Sequence, residues 1–181
     1  KTVYQQQWVA KRETRAYHDS HTTERSWLSI QIAATEAEVA HRQHPQAASL
    51  MFSPMERRLD FIVFRSHFAS SIYMARQMVR HGKVTVNGRK VDLPSYTAAD
   101  GDVIQVNPAA VCTLEKTAKE GEFKFKERPF MQPWMFIPDY LEVNYNTCST
   151  VFLRDPLTRP GRTELPSPFA PDVHALAYEF Y

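Results

Sequence analysis

Cysteine, glycine and long apolar runs are all scarce in this sequence. The two cysteines, Cys112 and Cys148, lie far apart and neither has a CxxC partner. They fit neither a disulfide framework nor a zinc knuckle, and read as reduced structural thiols. No uncharged apolar run approaches the roughly 20 residues that a bilayer crossing requires, so the expectation is a soluble chain with no membrane role. With only five glycines there is no Gly-rich phosphate loop and no dinucleotide fingerprint. Ser70-Ser71 has no nucleophile-elbow context. Asp100 and Asp102 flank Gly101 and read as turn formers. His41 and His44 are three apart, but Pro45 follows and no further ligand is near, which argues against a metal site. These absences leave no catalytic constellation, and the sequence predicts a non-enzyme with no cofactor, metal or small-molecule substrate. Residue 1 is Lys, and no basic segment followed by an apolar stretch marks a secretory precursor.

What is present is charge, unevenly placed. The formal net charge is only +2 over 181 residues. Residues 57–90, however, hold Arg57, Arg58, Arg65, Arg76, Arg80, Lys83, Arg89 and Lys90 against Asp60 alone. Residues 139–181 reverse the balance, with Arg154, Arg159 and Arg162 against Asp139, Glu142, Asp155, Glu164, Asp172 and Glu179. A chain polarised in this way is expected to face an anionic partner with one region and protein with another.

The basic segment also has the clearest structural pattern. Leu59, Ile62 and Val63 fall at helical spacing. Ser70-Ser71 offers an N-cap for a helix over Ile72–His81, in which Ile72, Ala75 and Val79 form the buried stripe. Arg76, Arg80 and Lys83 fall at i, i+4, i+7 and predict a second, basic face. Gly82 suits the left-handed position after the helix. The period then changes to two. Val84-Thr85-Val86, Asn87-Gly88 and Arg89-Lys90-Val91 predict a hairpin, and Asp100-Gly101 predicts a turn before a strand at Val103–Val106. Arginines on successive helical turns can bridge phosphates, and a tight turn lets Asn87 approach a sugar edge. The plainer reading of the same charges is a solvated face.

The flanks are less regular. Residues 1–30 suggest one or two short helices, the second capped by Thr22 or Thr23, and Gln31–Pro54 reads as a helix plus linker or a loop. Thr113–Arg128 is a charged hairpin arm or a solvated linker. Pro129–Tyr181 is Pro-punctuated and ends in an apolar helix over Val173–Tyr181, and its aromatics read mostly as core. The fold class is therefore α+β. It comprises a small helical N-terminal part (residues 1–56), a helix–helix–hairpin module (57–107), a charged hairpin or linker (108–130), and an extended tail (131–181) packing on the N-terminal part.

The stretch RRLDFIVFRSHFASSIYMARQMVRHGKVTVNGRKVDLPSYTAADGDVIQV resembles the RNA-binding domain, of alpha-L type, of the ribosomal protein S-four family. The carrying motifs are RLD, FASS, ARQMVRHGKV, VNGRKV, PSY and DGDVI. KRETRAYHDSHTTERSW before them, and LEV, VFLRDP, ELPSP and LAYEFY after them, occur in the family's order. The domain also occurs in RNA-modifying enzymes and ribosome-rescue factors, but the flanks are similar to the ribosomal protein. YNTC and the charged Thr113–Arg128 segment look like a mitochondrial member. Phe61 and Ser66-His67 depart from the family's usual polar and Gly-bearing positions. The resemblance implies a structural protein of the mitochondrial small ribosomal subunit, in the matrix. It would bind a helical junction of small-subunit rRNA near the messenger entry channel, beside the S-five-family protein. Carried over by motif, the expected RNA contacts are Arg57, Arg58, Arg65, Ser70, Ser71, Arg76, Gln77, Arg80, His81, Lys83, Asn87, Arg89 and Lys90. Lys11, Arg12, Arg15 and Arg25 are added on a looser motif.

Overall fold

The computed structural model describes residues 2–18, 25, 51–117, 121–131, 136–156, 158–159 and 162–180. The proposed helix after Thr22 or Thr23, most of Gln31–Pro54, and His41 and His44 fall outside them. The chain divides into two compact units, Lys1–Glu56 with Asp155–Tyr181, and Arg57–Arg154.

The first unit is built on two helices, α1 (Val3–His18) and α5 (Pro171–Glu179), which pack against each other. Ala10 and Ala177, both small, bring the helices close. Met51, Phe52 and Leu165 complete a small core. Phe52 leads into a single turn, α2 (Ser53–Glu56), whose Ser53 hydroxyl donates to Asp155. Pro171 opens α5, where its fixed φ suits the first helical turn and its missing N–H costs nothing. A buried pair of histidines, His18 and His174, meets through the Ser167 hydroxyl, at 3.1 and 2.9 Å from their Nε2 atoms. Phe52 stacks beside both rings. Burial holds the His174 imidazole down to about 4.

The second unit packs α3 (Leu59–Arg65) and α4 (Ile72–Arg80) on a five-stranded antiparallel sheet. Its strands are β1 (Val84–Val86), β2 (Arg89–Lys90), β3 (Val103–Val106), β6 (Leu141–Asn144) and β7 (Ser149–Phe152), in the order β2-β1-β3-β7-β6. Leu59, Ile62, Val63, Ala75, Val79, Val84, Ile104 and Phe152 are buried in one continuous core. Each fully buried aliphatic or aromatic side chain of this kind contributes about 1.5–3 kcal/mol. Phe61, one of the family departures, is buried. The module ends with a short 3-10 turn at Pro108–Ala110 and a two-stranded arm, β4 (Leu114–Lys116) with β5 (Phe123–Phe125). A further short pair, β8 (Thr158–Arg159) with β9 (Arg162–Thr163), belongs to the first unit.

The C-terminal fifty residues are shared between the units instead of forming one tail. Leu141–Phe152 folds as a hairpin, and β7 pairs with β3 from Val103↔Val151 to Gln105↔Ser149. This covers the edge of β3 that β1 leaves open. The YNTC segment is the hairpin's turn, with Cys148 at φ +51. Tyr145 in that turn donates its hydroxyl to the Ser66 carbonyl, and Thr150 donates to the Ser66 hydroxyl. Ser66 and His67, where the family pattern is broken, end α3. His67 stands at φ +61, a position that favours glycine, and its Nε2 lies 2.9 Å from the Phe136 carbonyl.

Candidate nucleic-acid interface

α4 starts from a side-chain cap. Ser71 is extended and its hydroxyl accepts the Met74 amide at 3.2 Å. Ala75, Met78 and Val79 turn into the core, with Ile72 only half-buried. The exposed ridge opposite is Ser70, Tyr73, Gln77 and Arg80, with His81 at its end. Gly82, at φ +63, stops the helix. Lys83 N–H donates to Met78 C=O and Gly82 N–H to Val79 C=O, so two otherwise orphaned carbonyls are satisfied. Lys90 lies across this corner, and a Cβ on Gly82 would collide with its aliphatic stem. The Lys90 cation therefore sits near the helix's negative C-terminal end.

The expected Arg76–Arg80–Lys83 stripe is not one face. Gly82 turns the chain out of the helix before Lys83, and Arg76 points back to α3. Its Nε and one terminal nitrogen lie 3.1 Å from Asp60 Oδ2. Arg58 reaches the same carboxylate, at 3.1 Å to Oδ1 and 2.9 Å to Oδ2. Asp60 is fully buried and also accepts the Phe61 amide at 3.0 Å. One buried carboxylate thus fixes two arginines that each remain about a quarter exposed, at 23% and 27%. Arg58 offers no side-chain cap to α3. Backbone carbonyls of the PSY segment do this instead, since the Leu59 and Asp60 amides donate to the Tyr96 and Pro94 carbonyls.

The hairpin turn is held as firmly. Asn87 and Gly88 both have positive φ, the two-residue turn that matches strand twist. The Asn87 side-chain amide is bonded on both of its ends within the turn. Its Nδ2 donates to Asp102 Oδ1 at 2.8 Å, and its Oδ1 accepts the Val103 amide at 3.0 Å. Asn87 thus positions the turn, while it stays exposed and its Nδ2 keeps a second N–H for a partner. Asp102 also accepts the Ala99 amide and the Tyr96 hydroxyl, so PSY, VNG and DGD are one hydrogen-bonded knot. Burial and the adjacent Asp102 raise the Tyr96 phenol. Arg57 is likewise committed, to Asp100 at 2.7 Å, to the Ala98 carbonyl at 3.0 Å and over the Phe152 ring.

Of the residues expected from sequence, Ser70, Gln77, Arg80, His81, Lys83, Arg89 and Lys90 lie exposed along α4, its corner and the hairpin. Arg58 and Arg76 are half-presented from Asp60, and Arg65 lies over the Phe64 ring. Ser71, Asn87 and Arg57 hold the scaffold. Lys11, Arg12, Arg15 and Arg25 belong to the other unit, where Lys11 lies 4.5 Å over Phe180 and Arg12 5.0 Å over Trp8. Sequence reasoning missed Asp60 as the hub and Tyr73 as part of the ridge. Tyr73 stood i−4 from Gln77 and i−7 from Arg80, a signal visible once the buried stripe was drawn. Among the described residues no three His, Cys, Asp or Glu side chains are grouped to hold a metal, and no helix is long and apolar enough to cross a membrane.

Residues 57–104 match the S4 domain, an RNA-binding domain. The chain is 33% identical over 229 aligned residues to small ribosomal subunit protein uS4m of Schizosaccharomyces pombe, covering all of this chain and 70% of the relative. It is 35% identical to small ribosomal subunit protein uS4 of Cereibacter sphaeroides, and 31% identical to that of Rhodopseudomonas palustris, each over 95% of this chain and 73% of the relative. With two thirds or more of each relative covered at this identity, the chain belongs to the uS4 family of small ribosomal subunit proteins, and its similarity to a uS4m member takes in its whole length.

Proposed function

We propose that this chain is a structural constituent of the mitochondrial small ribosomal subunit, in the matrix, and binds small-subunit rRNA without catalysis. The observation that carries the reading is the line of exposed Arg80, His81, Lys83, Arg89 and Lys90 on a corner fixed by Gly82, Asn87 and Asp102. Charges of one sign held in fixed relative positions suit phosphates at fixed spacing, as in a folded RNA. Arg58 and Arg76 add contacts from the Asp60 clamp, Arg65, Ser70 and Gln77 extend the surface along the helices, and Ser71, Asn87 and Arg57 keep its shape. Lys11, Arg12, Arg15 and Arg25 form a second, weaker set.

The exposed acids from residue 139 onward, Asp139 and Glu142 in one unit and Asp172 and Glu179 in the other, are contacts for neighbouring ribosomal proteins, the S-five-family protein among them, near the messenger entry channel. Opposite charge on the two regions supports that assignment. Sedimentation of tagged protein from mitochondrial extract tests the reading. The protein should remain with small subunits after a high-salt wash. Recovery only in the free soluble fraction overturns it.

A further inference from the structure

We infer that Tyr73 is a stacking platform for an unpaired base of the RNA, a site that makes this surface distinguish RNA with an extruded nucleotide from an uninterrupted duplex. The inference rests on the reading above that the α4 surface binds rRNA, and adds a ligand class to it.

Tyr73 is a large aromatic residue on the solvent side of a helix, and it is 65% exposed. It is not an isolated apolar residue on a mixed surface. Gln77 and Arg80 follow it at i+4 and i+7, so the three share one face, and Ser70 precedes it at i−3. From Tyr73 to Arg80 the helix rises by roughly 10 Å, which the two long side chains can span. The α4 backbone under the ring is fixed by the Ser71 cap at one end and Gly82 at the other.

Each member of the ridge supplies a different part of nucleotide recognition. The Arg80 fork suits a phosphate. The Gln77 amide carries both a donor and an acceptor, the complement of a base edge. The Tyr73 ring offers a π-face, which any base can stack on. In A-form RNA the bases are stacked inside the helix and the major groove is too narrow to enter, so a ring at this place can engage only a base that has left the stack. The exposed cations at the C-terminal end of the same ridge, Arg80 and, past the corner, Lys83, favour an RNA occupant over an apolar protein surface.

The test uses the full chain and two probes. One is an A-form RNA duplex, and the other is the same duplex carrying one bulged fluorescent adenine analogue. The unaltered protein should prefer the bulged probe and quench its fluorescence. Tyr73→Leu should lose that preference, by roughly 5- to 100-fold in Kd, with duplex affinity unchanged. Tyr73→Phe should keep both preference and quenching. Equal preference and quenching in Tyr73→Leu overturns the inference. So does a Tyr73→Leu protein that binds both RNAs normally but fails to join small subunits, since the ring would then meet protein. The double variant Arg80→Glu, Lys83→Glu separates the two readings. If it binds both probes as well as the unaltered protein, the RNA surface itself is wrongly placed. If it loses both while Tyr73→Leu loses neither, only the stacking site fails.

Discussion

Arg80 and Lys83 in the S4 module and Lys11 and Arg12 on α1 are cations of the same chemistry on helices or their ends, yet the two regions use them differently. On α1 the cations lie over Phe180 and Trp8, within the helical unit's own aromatic surface. In the module, Arg58 and Arg76 converge on a buried carboxylate, Lys90 lies back over Gly82, and Arg80, Lys83 and Arg89 stand out into solvent from a corner the backbone cannot easily deform. A cation over a ring has part of its attraction satisfied inside the protein. A cation on a fixed edge with no such ring keeps its charge for a partner. The contrast indicates that charge count alone does not locate a binding surface; local commitments do.

The largest expected effect is on the module side. Arg80→Glu with Lys83→Glu should weaken binding to an rRNA fragment by about 3–6 kcal/mol, since each charge-assisted contact contributes about 1.5–3 kcal/mol. The slope of log K against log salt should also become shallower. Titrations at several salt concentrations check both, with circular dichroism to show that helicity persists. Unchanged affinity would remove the contrast between the two regions.

The next effect falls on the helical unit and sharpens the contrast from the other side. His174 titrates near 4 in the fold because it is buried, against an ordinary 6.5. The folded state therefore binds fewer protons than the unfolded state between those values. Stability is complete above pH 6.5 and declines as pH falls towards 4, by at most about 3 kcal/mol. Urea unfolding across this range, with His174→Gln as the reference, should show the loss in the parent and much less of it in the variant. Equal slopes would refute the buried-histidine origin.

Asp60→Asn should destabilise the protein by about 2 kcal/mol, because one charged acceptor for two arginines becomes a neutral amide whose N–H₂ faces guanidinium. Thermal unfolding measures it. Stability unchanged within error would mean that Arg58 and Arg76 are held by something other than this carboxylate. The smallest effect belongs to α1. Lys11→Gln removes a surface cation–π contact, should cost below about 1 kcal/mol, and should leave RNA affinity nearly unaltered. An RNA defect as large as that of the Arg80 and Lys83 variant would show that the two regions act alike.

Much of the module could be read from the order of residues. Ser71 as cap, Gly82 as stop and Asn87-Gly88 as turn are local devices, and each acts within a few residues of its own position. The β6–β7 hairpin was not legible as part of the same sheet. Its strands have four residues each, and their pairing with β3 joins Val103 to Val151 across almost fifty positions. The basic stripe was half right for a similar reason. Helical spacing places Arg76 on a face with Arg80, but the attraction of Asp60, sixteen residues earlier, draws the Arg76 side chain aside.

The sequence alone determined the α+β class and the family, because those rest on local propensity and ordered motifs. Only the tertiary structure decided which of the eight cations of residues 57–90 are committed and which are offered. That choice depends on carboxylates and rings brought near from distant positions, where desolvation makes an ion pair or a stacked cation worth keeping.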